Sequence, residues 1–382
     1  MPTRATARGA QRTALTRDCD VLICGASFAG LTLARELEGS GAEVLMVDRY
    51  DIGERATSAC AAPTEWIERL GLAGSIRQTF PELVVHVPGD HLRWQLPFSF
   101  STFDYRALCD RLREGSASCE FATATVAGVT PGRVHAVRTD RGELRAPLVI
   151  DALGWRRVLS GGSPVQPPAA RLSRGLEVHP HGSGSSMELW IDPAYVRAGY
   201  SWSFPAHGEL RVGCGSFDPR AHVREPTVAL ARDLGLDAVA YQGNWIPHQL
   251  RAATEDGVFF VGDSAGHCLP LTAEGIRPAF YFALALGREL RHVLAGRATR
   301  EQSLERYRAF CADHAWQYAA MLAVQQLVGR VTGTAAMRAA VRFVSRPRVA
   351  RWVFGHYLDI APPSFAAISS AQRGPAPIAA PV

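Results

Sequence analysis

The chain has 382 residues, 47% hydrophobic and 20% charged, enough to bury a core across two or three domains or one interleaved fold; this excludes a small disulfide scaffold, a disordered chain and a fibrous one. The formal net charge is +5 and all 41 basic residues are arginine, so the absence of lysine rules out a lysine Schiff base, a Walker lysine and lysine-dependent halogenation. Eight cysteines without a CxxC pair indicate neither a zinc knuckle nor a disulfide framework and fit a reducing cytoplasm, and no apolar run reaches the roughly 18 residues of a membrane-spanning helix.

Residues 1–17 carry four arginines and no apolar core of a signal peptide, and read as a disordered tail. Asp20 to Cys24 reads as a buried parallel strand, followed by a glycine turn and a helix to about Glu38; "AEVLMVD" at 42–48 is a second strand ending in an acid, which completes a βαβ unit. In that turn Gly25 makes the tight bend, Ser27 stands where the backbone approaches a pyrophosphate, and Gly30 lets the helix pack on the strand. The helix start beyond Ser27 offers unpaired amides to phosphate. Asp48, 23 positions after Gly25, is placed for ribose hydroxyls and disfavours a 2′-phosphate, so the nucleotide is ADP-ribose-like, as in FAD or NAD.

The stretch 83–100 is strand-rich around a Pro-Gly-Asp turn, 102–114 returns to helical spacing, and 121–151 alternates strands and turns. Residues 172–248 are rich in strands, glycine and aromatics and suggest an antiparallel sheet. Within them "YSWSFP" (200–205) puts Tyr200, Trp202 and Phe204 on one face of a strand, either as an aromatic wall for an apolar ligand or as inter-domain core. Residues 257–290 give a buried strand, a long loop and a helix, and 301–356 is largely helical with Arg338, Arg342, Arg346 and Arg351 among apolar positions. Those arginines form either a membrane-surface face or a solvated one. The Pro-rich end, 361–382, reads as a loose tail.

"VFFVGDSAGHCLPLTAEGI" resembles the second FAD motif of the para-hydroxybenzoate hydroxylase-like flavoproteins, over a likeness spanning roughly residues 18–300. The resemblance implies FAD, with Asp263 on the ribityl chain, Pro270, Gly275 and Ile276 facing the isoalloxazine, Arg49 and Arg106 at the nucleotide, and Val126 meeting the adenine through its backbone. One departure stands out. The superfamily's middle motif ends in Asp-Gly, whereas Leu153 precedes Gly154 here, which puts a hydroxylase's handling of NAD(P)H in doubt. "YSWSFP" followed seven residues later by Gly213 and Gly215 resembles the YxWxFP-x7-GxG signature of the geranylgeranyl reductase family, and assigns Tyr200, Trp202, Phe204 and Pro205 to substrate binding. Cys60 in "DIGERATSAC" resembles that family's cysteine and would position or protonate the alkene; a buried structural cysteine is the alternative. His267 is a rival proton donor or a loop-packing residue.

These parts predict an α/β chain. A Rossmann-type FAD-binding domain (18–82, 101–160 and 250–300) is interleaved with an antiparallel-sheet substrate-binding domain (83–100 and 161–249), and a C-terminal helical region (301–360) follows. The implied activity is FAD-dependent reduction of carbon-carbon double bonds in an isoprenoid-like substrate; the alternative is a flavin monooxygenase or other oxidative tailoring enzyme of secondary metabolism. The expected partners are a small apolar substrate and an electron donor, NAD(P)H or a redox protein, with peripheral membrane contact of a cytoplasmic protein. No groove-reading motif points to nucleic acid.

Overall fold

Four successive apolar residues, Val21–Cys24, are buried along their whole length, as a central parallel strand covered on both faces requires. In the computed structural model of this chain, which describes residues 13–56, 58–162, 172–330 and 334–366, that strand pairs in parallel with Val44–Asp48 and with Leu148–Asp151. Glu120–Thr123 extends the sheet on one side; Val258–Phe260 and then the short antiparallel Thr254–Glu255 extend it on the other. Cys24 therefore stands level with Val47 and Asp151, and the chain leaves these strands at Gly25, Asp48, Ala152 and Gly262 along one edge. A crevice at the carboxyl edge of parallel strands is where this architecture holds ligands.

An eight-stranded sheet forms the second layer, in the order Gln242–Pro247, Leu172–Val178, Leu210–Ser216, Gly199–Pro205, Met187–Trp190, Ile76–Val87, Asp90–Phe103, Ala61–Pro63. It is antiparallel except where Met187–Trp190 meets Ile76–Val87. The expected boundaries at 83 and 100 thus fall inside strands. A register irregularity between Phe80 and Glu82, around Pro81, interrupts the alternation by which the earlier half of Ile76–Val87 would have been recognised. A small four-stranded sheet begins with Arg17–Asp18 paired to Gly142–Ala146, so the expected disordered tail gives way to ordered chain by residue 13. There the Leu15 amide donates to the Arg141 carbonyl at 2.7 Å. Residues 1–12 lie outside the described residues.

Helix Phe28–Glu36 packs along Ile276–Leu294, and Gly287 permits the approach: a Cβ there would sit 2.4 Å from Cγ of Glu36. Four further helices, Arg300–Ala312, Ala315–Val328, Thr334–Val344 and Pro347–Asp359, close the molecule. The first opens with a full capping box between Thr299 and Gln302. Two of the arginines read as a surface face are engaged within the fold: Arg338 donates to the Pro88 carbonyl at 2.9 Å and Arg342 pairs with Asp90 at 2.6 Å, tying their helix to the hairpin tip. Ala361 is fully buried and accepts the Trp66 indole N–H at 2.9 Å, so the loose end does not begin at 361; residues 367–382 lie outside the described residues. Among the described residues no helix is long and apolar enough to cross a membrane.

Candidate active site

The glycine turn is fixed by backbone. Gly25 has φ of +114°, and a Cβ there would lie 2.2 Å from the Ala152 carbonyl oxygen; one on Gly30 would lie 1.9 Å from the Gly25 oxygen. Ser27 differs. Its backbone is extended, an ordinary conformation for any residue, and its hydroxyl is turned aside to Tyr105 Oη at 3.1 Å. Because that hydroxyl makes no cap to its own helix, the first amides of Phe28–Glu36 stay available to an anion. Asp48 accepts the Ala26 amide at 2.8 Å and the Tyr50 amide at 3.0 Å, locking the turn to the end of the neighbouring strand. Arg49, stacked against Tyr50, and the buried Val126 line the same end of the cavity.

At the other end, Asp263, Gly275 and Ile276 line the cavity where helix Ile276–Leu294 begins. Burial pushes the Asp263 carboxyl up to about 6, against the opposing pull of Arg251. Behind this helix start, fully buried Arg277 pairs with Glu274 at 2.9 Å and donates to the carbonyls of Tyr357, Leu358 and Ala361, so the last helix is anchored directly to the cofactor end. The superfamily's missing acid has a local counterpart. Asp151, buried at the preceding strand end, accepts the amides of Leu153 and Leu159 and the Ser264 hydroxyl, and so holds both loops.

One cavity of about 1870 Å³ joins these elements to the face of the eight-stranded sheet. Tyr200, Trp202 and Phe204 all line it, with Leu83, Met187 and Leu189 beyond, and Val324, Val341 and Phe354 of the C-terminal helices close over them. The spaced glycines have a physical reason: a Cβ on Gly213 would be 2.3 Å from the Trp202 ring and one on Gly215 3.4 Å, so the bare backbone seats the indole. Tyr200 is tied by its hydroxyl to the Thr272 carbonyl in the cofactor loop.

Five expected site residues stand elsewhere. Cys60 is buried, its thiol donating to the Ser58 carbonyl at 3.1 Å, and it does not line the cavity; burial, against the pull of Arg211, pushes the thiol up to about 12. His267 is buried under the cofactor loop, stacked on Phe282 at 3.8 Å, with Nδ1 accepting the Gly262 amide at 3.2 Å; burial depresses its pKa, so it is a neutral packing residue away from the cavity. Arg106 points outward toward Asp110, and its neighbour Tyr105 takes the inward position, because successive helical residues turn by about 100°. Pro205 serves the sheet, its carbonyl accepting the Thr102 hydroxyl at 2.7 Å. Pro270 is off the cavity and its carbonyl accepts the Gln325 side-chain amide.

Sequence reasoning missed Glu177. This carboxylate lines the cavity with a side chain only 4% exposed, and accepts from the Trp202 indole at 3.1 Å, the Gln242 amide at 2.9 Å and His179 Nε2 at 2.9 Å. His179 also faces Glu209 at 3.5 Å. Burial alone would depress His179, but its two carboxylate partners outweigh that and raise it to about 9, while the hydrogen bond from His179 brings Glu209 down to about 2. The legible signal was Glu-x-His at the end of a strand, with Glu177 inside Leu172–Val178 and His179 just past it, a spacing that puts both side chains on one face. Cys268 was likewise missed: it lines the cavity beside Gly275, its thiol raised by burial.

Comparison with known proteins matches these features. A family described as lycopene cyclase protein covers residues 20–183, and one described as FAD binding domain covers 246–321, so the two take in the opposite ends of the nucleotide crevice. The digeranylgeranylglycerophospholipid reductase 3 of Methanosphaera stadtmanae is 23% identical over 78% of this chain and 83% of its own. Among solved structures, a geranylgeranyl bacteriochlorophyll reductase-like protein of Thermoplasma acidophilum superposes with a TM-score of 0.80 at 15% identity, over 93% of this chain and 99% of that one. PqsL of Pseudomonas aeruginosa, described as a probable FAD-dependent monooxygenase, gives 0.60 at 19% identity, over 90% and 100% of the two chains.

Proposed function

We propose, for a chain that is an FAD-dependent oxidoreductase of the geranylgeranyl reductase type, that it reduces carbon-carbon double bonds of an apolar, isoprenoid-like substrate. The observation that carries this reading is the continuity of the cavity: it runs from Asp48 and Asp263, the nucleotide and ribityl positions, without interruption onto an apolar wall of Trp202, Phe204, Leu189 and Met187. FAD, once reduced, supplies the hydride. The protein's own contribution is to orient and to exclude water. Asp48 and the turn around Gly25 hold the nucleotide, and the amides at the start of helix Ile276–Leu294, with its dipole, favour negative charge there. Trp202, held flat over Gly213, positions an alkene that an aqueous site would not retain.

The same reading extends to how substrate arrives. Trp316 and Trp352, 69% and 64% exposed, both line the cavity, and Leu327 and Phe343 are exposed nearby in the chain on the same group of helices. Such a rim suits peripheral contact with a lipid surface. The electron donor is NAD(P)H or a redox protein.

The test is anaerobic: dithionite-reduced holoenzyme is mixed with a panel of prenyl substrates, and a saturated product is expected with stoichiometric reoxidation of the flavin. The fold shared with PqsL supports one rival, oxygenation. A product carrying one atom from 18O2, with no saturated product without oxygen, would select that rival.

A further inference from the structure

Charge is unevenly distributed among the closing helices. Between Asp313 and Asp359 the sequence holds six arginines and no acid, so this one stretch exceeds the +5 of the whole chain and leaves the remainder nearly balanced. Arg338 and Arg342 are engaged by the hairpin tip. Arg330, Arg346, Arg348 and Arg351 are exposed, and none of the four meets a carboxylate among the described residues; Arg346 instead stacks on the exposed Phe343 at 5.4 Å.

Apolar groups are distributed in the same way. Among the described residues, five of the nine large hydrophobic side chains that stand exposed lie on these helices: Trp316, Val324, Leu327, Phe343 and Trp352. On helix Ala315–Val328, the spacing of Trp316, Ala320, Val324 and Leu327 makes a single stripe of exposed residues, while the buried Tyr318 and Gln325 lie on the opposite face. A helix that only packs onto a core does the reverse. Trp316, Ala320 and Val324 line the cavity and Leu327 does not, so the stripe runs from the cavity onto the outer surface. Trp352 of the last helix is likewise both exposed and part of the lining.

We propose that helices Ala315–Val328, Thr334–Val344 and Pro347–Asp359 dock the protein on a bilayer of anionic phospholipid, with the cavity mouth marked by Trp316 and Trp352 opening into the acyl layer. This deepens the reading of an apolar substrate given above by naming the surface that supplies it. Aromatic and aliphatic groups enter the acyl boundary while the unpaired guanidinium groups reach lipid phosphate. The arginines thereby set which face of the protein meets the membrane, and substrate passes along Leu327, Val324 and Trp316 into the cavity without crossing water. Charge argues against a second copy of this chain as the occupant, since the same arginines would face one another with no acid on these helices to balance them. An acidic partner protein seated there would plug the route by which substrate enters.

The experiment measures binding rather than turnover, and so separates this proposal from the reductase reading. Oxidised holoenzyme is floated with vesicles of phosphatidylcholine alone and of phosphatidylcholine and phosphatidylglycerol in equal parts. Flotation is expected with the mixed vesicles, at least about 10-fold weaker with the neutral ones, and weakened as salt rises from about 0.05 to about 0.5 M. Arg346→Gln with Arg348→Gln and Arg351→Gln should lower partitioning about 100-fold, or about 5-fold per arginine. Leu327→Gln with Phe343→Gln should lower it about 10-fold through lost apolar contact. All five positions are exposed, and unchanged FAD content and melting temperature verify that these variants fold. Acyl chains brominated near the headgroup should quench part of the wild-type tryptophan emission, and Trp316→Phe with Trp352→Phe should remove most of that quenching. Absence of flotation, equal binding to neutral and anionic vesicles, or quenching that persists in the double tryptophan variant each overturns the proposal. So does a solution dimer that Leu327→Gln with Phe343→Gln dissolves while vesicle binding is absent. A wild type that reduces a prenyl alcohol in micelles yet ignores anionic vesicles leaves the reductase reading standing, and one that binds them through these residues but reduces nothing overturns that reading alone.

Discussion

The two walls of the cavity are built by different means. On the nucleotide side, parallel strands deliver Gly25, Asp48 and Asp263 to one edge, and the decisive atoms are backbone: an oxygen of Ala152 against Gly25, amides at two helix starts. On the substrate side the decisive atoms are side chains from strands far apart in sequence: Glu177, Trp202, Gln242 and the space left by Gly213. Backbone geometry tolerates almost no substitution at its glycines but is indifferent to most neighbours, as the extended Ser27 demonstrates. A side-chain network instead responds to each member in a graded way, through position, charge and pH.

That contrast sets the order of expected effects. Gly30→Ala is the most severe, since its Cβ would meet the Gly25 oxygen at 1.9 Å; the purified protein should carry almost no FAD, and thermal unfolding should show a loss of about 3 kcal/mol or more. A variant that copurifies with full flavin would erase the distinction between the two walls. Arg277→Met comes next. It strips the partner from buried Glu274 and leaves three carbonyls without their donor, so urea denaturation should register a loss of about 3–5 kcal/mol and the last helix should become accessible to protease.

Gly213→Ala sharpens the comparison from the substrate side. Its Cβ would collide with the Trp202 ring at 2.3 Å, so FAD occupancy should persist while alkene-driven flavin reoxidation falls about 10-fold or more. His179 gives a pH signature. Because its folded pKa is raised from 6.5 to about 9, the stability it contributes is fully present below pH 6.5 and is lost as pH rises through 9. The difference in melting temperature between wild type and His179→Gln should therefore shrink across that interval. Smallest are two changes the structure makes nearly silent: Ser27→Gly should bind FAD within a few-fold of wild type, and Cys60 should resist alkylation until the protein unfolds, because burial keeps its thiol protonated.

Much of the nucleotide half is legible in the sequence. The βαβ unit, Gly25, Gly30, Asp48, Asp263 and Gly275 sit at spacings that a strand-turn-helix imposes locally, so chain order nearly equals spatial order there. Where the sequence misleads, it misleads about direction. Arg106 and Tyr105 share a helix start, and only the packing of that helix against Phe28 turns Tyr105 inward. Cys60 lies between two residues that line the cavity, Ala59 and Ala61, and yet faces the core, with φ of +51° turning it away from their path.

Residue order was enough to establish that the chain holds an ADP-bearing cofactor and presents an alternating aromatic strand, because glycine turns, strand-end acids and period-two patterns are local consequences of backbone geometry. Which acid stands on the substrate wall depends instead on the assembled fold. Glu177 and Trp202 are 25 residues apart in sequence and become partners only because strand Leu210–Ser216 lies between their strands, with Gly213 small enough for the indole to reach across it to the carboxylate. Such a contact is set by pairing order, register and side-chain volume together, quantities fixed only when the sheet is assembled.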